Sequence, residues 1–275
     1  MKPAAFDYIR AETLAEVHAT LATEGDQARV IAGGQTLVPM LSMRLARPKV
    51  VLDIMGLTEL GAICLERDSI RIGATVRQAE LLGWPQLAER QPLLAAVLPW
   101  VGHAQTRSRG TVCGSIAHAD PSAELPLALV ALGGTVELAS KRRRRRVAAA
   151  DFFIGLMTTA RADDELVEAV RFPCRQQAHG YAFREFGRRH GDFAIVACAA
   201  IVHDQGLTFA VGGVADRPVA RSYPALERGA LEDALDAFAW ELEARDDLHA
   251  SARFRRDLVR RMGRETIEEA RRCCA

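Results

Sequence analysis

The chain has 275 residues, 49% of them apolar, and its 36 basic and 35 acidic side chains leave a net charge of +1. So apolar a composition excludes a disordered polypeptide, the balanced charge excludes a protein that coats polyanions along its length, and domains of about 100–200 residues allow one to three here. Six cysteines (Cys64, Cys113, Cys174, Cys198, Cys273 and Cys274) show no C-x-x-C spacing, which fits neither a disulfide framework nor a metal cluster.

The first residues, MKPAAFDYIRAETLAEV, contain no apolar core followed by a cleavage site, and no later window nears the roughly 20 apolar residues of a membrane span, so a soluble cytoplasmic chain without membrane insertion is expected. Thr13 and Glu16 form a capping box for a helix whose apolar face is Leu14, Val17 and Leu21, with Gly25 as its left-handed stop. RVIAGG then reads as a short buried strand, LVPMLSMRL as a brief helical passage and KVVLDI as a second strand, giving a compact unit over about residues 1–55. Met40 and Met43 lie among leucines and are expected in its core.

SIRIG, with Ile70 and Ile72 alternating, predicts a strand followed by a capped helix from Thr75, and PLLAAVLPWVGHA predicts one helical run. GGTVELAS and RRRVAAADFF predict a hairpin, and DELVEAVRFP a strand closed at Pro173. The run Arg142–Arg146 falls between strands with no aromatic residue beside it, so it is expected at a solvated hairpin tip and not on nucleic acid. After residue 176, YAFREF, DFAIVACAAIVHD and LTFAVGGV predict an antiparallel sheet with a turn at Gln205-Gly206, and two helices follow, at about 230–243 and 251–270. Few regular βαβ repeats appear, which indicates an α+β protein.

Two glycine-containing stretches carry the chemistry. Ala32-Gly33-Gly34-Gln35-Thr36-Leu37 follows a strand, and Thr111-Val112-Cys113-Gly114-Ser115 is flanked by hydroxyls; small residues let successive backbone N–H groups converge on phosphate oxygens. Neither matches G-x-G-x-x-G or G-K-[ST], which disfavours a simple dehydrogenase or an ATPase. His118 reads as a polar loop residue, His103, His190 and His203 are too scattered for a metal site, and no nucleophile elbow or H-E-x-x-H is present.

A-G-G-Q-T-L-x-P-x-M from Ala32, T-x-x-G-S at Thr111–Ser115 leading to A-D-P-x-x-E-L-P at Ala119–Pro126, and R-R-H-G-D-F-A at Arg188–Ala194 together resemble the FAD-binding medium subunit of molybdenum hydroxylases, over essentially the whole chain. The resemblance implies a vanillyl-alcohol-oxidase-type (PCMH-type) fold. Residues 1–175 would be the FAD-binding domain, with subdomains at about 1–55 and 56–175, and residues 176–275 a C-terminal domain of antiparallel sheet and helices.

It also implies non-covalent FAD, its diphosphate held by Ala32–Leu37 and by Thr111–Ser115 and pressing on Gly33 and Gly34. Asp120 belongs to the matched segment, Glu124 would accept from the ribose or adenine, Val101 and Val167 would touch rings, Arg184 would be a cation near the flavin oriented by Asp192, and Phe193 would pack beside the isoalloxazine. Cys113 replaces a glycine usual in relatives, so its side chain either points away from the phosphate or displaces it. With no residue cast as general acid or base, the implied role is electron relay from a small [2Fe–2S] subunit, through FAD, to an external acceptor. A large molybdopterin subunit would oxidise a small, N-heteroaromatic or similar substrate, in a dimer of heterotrimers. The alternative is a self-sufficient flavin oxidase or reductase of the same fold.

Overall fold

In the computed structural model, which describes residues 2–274, strand β1 (Asp7–Arg10) leads into helix α1 (Leu14–Glu24). Thr13 Oγ1 accepts the N–H of Glu16 at 3.2 Å, and the Glu16 carboxylate accepts the N–H of Glu12 at 2.8 Å, one residue earlier than in a standard capping box. Gly25, at φ +51°, closes the helix by donating to Leu21 O. Strand β2 (Ala28–Ile31), helix α2 (Leu37–Ser42) and strand β3 (Val50–Asp53) complete a parallel sheet of order β1–β3–β2. The central position of β3 explains its unbroken apolar run, since Val50, Val51 and Leu52 are all buried. Strand β1, an edge strand with exposed Tyr8, has no apolar signature and was not expected. Met43 is also exposed, so it is not core filler as expected.

The middle of the chain builds a second sheet: β4 (Ile63–Leu65), β5 (Ser69–Gly73), β6 (Thr135–Ala139), β7 (Arg144–Ala148) and, after the small β8 (Phe153–Gly155) and β9 (Thr158–Thr159) pair, β10 (Leu166–Pro173). Its antiparallel order is β4–β5–β10–β6–β7, with a bulge in β10 between Val167 and Ala169. Short helices fill the connections: α3 (Gln78–Leu82), α4 (Leu87–Arg90), α5 (Pro92–Val97), α6 (Ala104–Arg109), α7 (Val112–His118), α8 (Glu124–Ala131) and α9 (Ala149–Phe152). Helix α3 starts at Gln78 and not at Thr75, because the Glu80 carboxylate accepts the N–H of Arg77 at 2.8 Å. The single helical run expected from Pro92 breaks into α5, a 3₁₀ turn at Leu98–Trp100 and α6.

Only the first part of the basic run, residues 141–143, stands at the exposed hairpin tip; the rest does not. Arg144, Arg145 and Arg146 lie within β7, and Arg145 forks onto Glu165 with two contacts of 2.8 Å while Arg143 reaches the same carboxylate at 3.3 Å. Arg144 pairs with Glu168 and Arg146 with Glu137, each at 3.3 Å. Glu137 lies on the adjacent β6, Glu168 on β10 and Glu165 just before it, so these arginines are paired with carboxylates while Arg143, Arg144 and Arg146 remain largely exposed to solvent.

The last sheet, β11 (Gly180–Phe186), β12 (Val196–His203), β13 (Gly206–Gly212) and β14 (Val219–Pro224), is antiparallel in chain order and is followed by α10 (Arg228–Glu241) and α11 (Ala252–Arg272). It is covered on both faces. Phe183, Ala197, Ala199 and Ala210 pack toward the first two-thirds of the chain, while Ala182, Cys198, Ala200 and Phe209 pack toward Leu235, Phe238, Val259 and Ile267 of the last two helices. Buried Arg255 of α11 ties the layers by donating to the carbonyls of Ile195 and Gly213 and pairing with Asp247. Among the described residues no helix is long and apolar enough to cross a membrane.

Candidate functional site

A cleft of about 590 Å³ runs between the Ile31–Leu37 segment, the Gly110–His118 segment, the bulged start of β10 and the Gly191–Phe193 loop. The turn after β2 is built by its glycines. A Cβ on Gly33 would lie 2.2 Å from Arg109 O and 2.6 Å from Gly110 Cα, so the two glycine segments meet backbone to backbone. Gly33 therefore lacks a side chain because protein, and not cofactor, fills that space. Gly34 adopts φ +69°, the left-handed region. Among the described residues nothing accepts a hydrogen bond from the N–H groups of Gly33, Gly34, Gln35 or Thr36, which leaves four adjacent donors on the cleft wall.

The second segment is a helix and not an open loop. Thr111 Oγ1 accepts the N–H of Gly114 at 3.0 Å and caps α7, and a Cβ on Gly114 would come within 2.7 Å of that hydroxyl oxygen. Thr111→Ala is expected to lower stability by about 1 kcal/mol, read as a fall in Tm of roughly 2–4 °C, with a matching loss of bound flavin. Cys113 points its Sγ at Ile72 O, 3.4 Å away in the second sheet, and burial pushes its thiol up to about 12. It thus behaves as a small core residue and supplies no thiolate at neutral pH.

Ala32, Gly33, Gly34, Gln35, Thr36, Leu37, Val101, Thr111, Cys113, Gly114, Ser115, Asp120, Glu124, Val167 and Phe193 all line the cleft. Val112 does not; it is wholly buried in the core beneath α7. Arg184 does not either. Alternation along β11 turns Phe183 and Glu185 toward the cleft side and Arg184 toward α11, where it bonds Glu269 at 2.9 Å and Glu265 at 3.3 Å. Asp192, expected to orient that cation, is in the cleft wall without it. Asp120 folds back to accept the N–H of Ser122 at 2.9 Å, and His118 stands on the cleft as the last residue of α7, not in a loop.

Two cleft arginines escaped sequence reasoning: exposed Arg29, which donates to the carbonyls of Asp26 and Ala28, and the more buried Arg161. Arg161 donates to the carbonyls of Ala162 and Glu165, both at 2.8 Å, has no carboxylate partner among the described residues, and is pulled down in pKa by burial. An isolated arginine in TTARADDE offers no local signal for this placement. Gln78 was missed likewise: its backbone N–H donates to Gly110 O at 2.8 Å and its Nε2 to Thr111 O at 3.5 Å, binding α3 to the second segment. Glu124, at the start of α8, is pushed up to about 8 by burial, with Asp120 adding to the effect.

Residues 4–175 match the family model described as the FAD-binding domain in molybdopterin dehydrogenase, and residues 181–270 match the carbon monoxide dehydrogenase flavoprotein C-terminal domain. The medium subunit of nicotine 6-hydroxylase from Paenarthrobacter nicotinovorans is 36% identical, over 98% of this chain and 99% of its own length. A chain of carbon monoxide dehydrogenase from Hydrogenophaga pseudoflava superposes with a TM-score of 0.95 at 29% identity, covering 100% of both chains. A chain of quinoline 2-oxidoreductase from Pseudomonas putida 86 superposes at 0.92 with 32% identity, covering 99% of each. The α+β fold is accordingly the PCMH-type one, and the chain belongs to the FAD-binding medium subunits of the molybdenum hydroxylases, the oxidoreductase family of carbon monoxide dehydrogenase and xanthine dehydrogenase.

Proposed function

We propose that this chain relays electrons through FAD held in the cleft, from a small [2Fe–2S] subunit to an external acceptor, while a large molybdopterin subunit oxidises the substrate. The observation that carries the reading is the row of four uncommitted N–H donors at Gly33–Thr36, which suits a diphosphate. Ala32–Leu37 hold that diphosphate on one side and Thr111–Ser115 face it on the other, with Val112 acting from below by packing α7. FAD supplies the redox chemistry when bound, and the protein binds, orients and shields it. Val101 and Val167 give apolar contact to its rings, Glu124 meets the ribose or adenine, and exposed Phe193 covers the isoalloxazine at the mouth of the cleft. A cation near the cofactor is supplied by Arg161, with Arg29 also on the cleft wall, since Arg184 is spent on Glu265 and Glu269.

Relatives named for nicotine, caffeine and quinoline support an N-heteroaromatic substrate for the complex. The three subunits assemble as a dimer of heterotrimers in the cytoplasm, and FAD is bound non-covalently. Purified chain is expected to be yellow, to release its flavin on acid precipitation, and to be reduced by substrate only when both partner subunits are present. Reduction of the isolated chain by an organic substrate would instead make it a self-sufficient flavin oxidase or reductase.

A further inference from the structure

The bulge in β10 leaves one residue over. Val167 pairs with Leu138 and Ala169 with Glu137, so Glu168 between them has no partner on β6. Its carboxylate, on a residue only 5% exposed, crosses to the first subdomain and meets buried His18 of α1, with 3.1 Å between Oε1 and Nε2. A carboxylate can only accept, so His18 donates from Nε2, and its shielded Nδ1 has no partner among the described residues. Arg144, largely exposed on β7, reaches the same Oε1 at 3.3 Å, and the backbone carbonyl of Glu168 accepts the N–H of Ala74 at 3.0 Å. The bond between His18 and Glu168 thus joins two elements that wall the cleft. Leu21, three residues beyond His18 and so on the same face of α1, lines the cleft, and so do Ala74, Leu166 and Val167. Among the described residues no other side chain of α1 bonds to the second sheet; those of Glu16 and Thr23 bond within or beside their own helix.

We infer that His18 and Glu168 are positioning residues for the cofactor: their bond sets the spacing between α1 and the bulged start of β10, and with it the seat that Leu21 and Val167 offer to FAD. Neither residue lines the cleft itself. A buried polar pair adds little stability over apolar side chains of similar volume, because both groups give up their hydration. What it adds is a fixed length and direction: a hydrogen bond weakens steeply when stretched or bent, whereas apolar attraction has no direction and lets surfaces slide. The bulge makes the pair possible, since one extra residue lets Val167 keep to the cleft while the next side chain leaves for α1.

The inference rests on the cleft being the FAD cradle, and one experiment separates the two. FAD is titrated into the deflavinated full-length chain, followed by flavin fluorescence, well below the Tm of each variant. His18→Leu is combined with Glu168→Leu so that no charge is stranded, and this double variant is expected to keep a Tm close to the parent's while binding FAD about tenfold more weakly. His18→Gln, whose amide can donate over a similar reach, is expected to stay within about twofold of the parent, and Glu168→Gln, which keeps the acceptor without its charge, to lose about threefold. Parental affinity in the double variant, or affinity that only follows Tm across the series, would overturn the inference. Should the double variant not fold, Glu168→Gln decides alone, a threefold loss at an unchanged Tm supporting the pair and parental affinity overturning it. Gly34→Val is the control for the cradle: loss of FAD there with parental affinity in the His18 and Glu168 variants sinks the pair alone, whereas undiminished FAD binding sinks both readings.

Discussion

Gly33→Ala is expected to abolish flavin binding and to unfold the junction between the first two sheets. One methyl group would be driven to 2.2 Å from Arg109 O and 2.7 Å from Arg109 C, against backbone atoms that have no rotamer through which to retreat. Relief requires separating the Ile31–Leu37 segment from the Gly110 turn, which breaks the wall that carries the four free N–H donors. Overpacking of a tight site costs about 1–3 kcal/mol, and a backbone clash with no side chain to yield belongs at or above the top of that range. Flavin per chain and Tm, measured together, check it. Gly25→Ala is the contrast, for its Cβ meets nothing within 4 Å and only its φ of +51° is strained. That variant is expected to lose about 1–3 kcal/mol, since ψ −122° lies outside the left-handed helical region, and to keep its full complement of flavin.

The second large effect concerns Glu165. This carboxylate is completely buried, forks with Arg145, contacts Arg143 and accepts the N–H of Ala162 at 2.8 Å. Glu165→Ala would leave the partly buried Arg145 facing an empty acidic site, and breaking one side of a buried pair costs about 3–5 kcal/mol. Because the Arg145 hydrogen bonds hold this carboxyl below its ordinary value of 4.5 against the cost of burial, its contribution is present above that value and disappears as the pH falls through the lower, folded one. Acid titration of the parent by near-UV circular dichroism should therefore show a transition below pH 4.5 that Glu165→Gln lacks, since the amide begins without the ionic part of the bond. As Glu165 and its neighbours Leu166 and Val167 line the cleft, flavin release should track that transition.

Elements whose reasons are local could be found in the sequence. Helix α1 announces itself through Thr13, Glu16 and Gly25, and the hairpin of β6 and β7 through alternation. What lay hidden depends on partners distant in the chain. Strand β1 is an edge with one exposed tyrosine, and only its pairing with Val50–Asp53 makes it a strand. Helix α7 carries Gly114 in its first turn, so its sequence looks like a loop until Thr111 is seen to cap it. The Gly33 position was legible as a place that forbids a side chain, but the obstacle turned out to be Arg109, more than 70 residues away in the chain. Arg184 was misplaced for a related reason: a sheet covered on both faces shows no polar side, so alternation alone does not say which rank of side chains meets the cleft. Arg161 reaches the cleft through the path of a turn, which residue types do not encode.

The doubly covered last sheet has a consequence for how this protein can vary. Alanines at 182, 197, 199, 200 and 210, each at most 3% exposed, let helices lie close on either side, and Phe209 drives its ring to where a Cβ on Gly263 would stand only 2.8 Å away. A slab fitted this tightly tolerates neither added volume nor a slipped register, so changes of residue that keep the fold are confined to the rim of the molecule, at the hairpin tips and the segment between the last two helices.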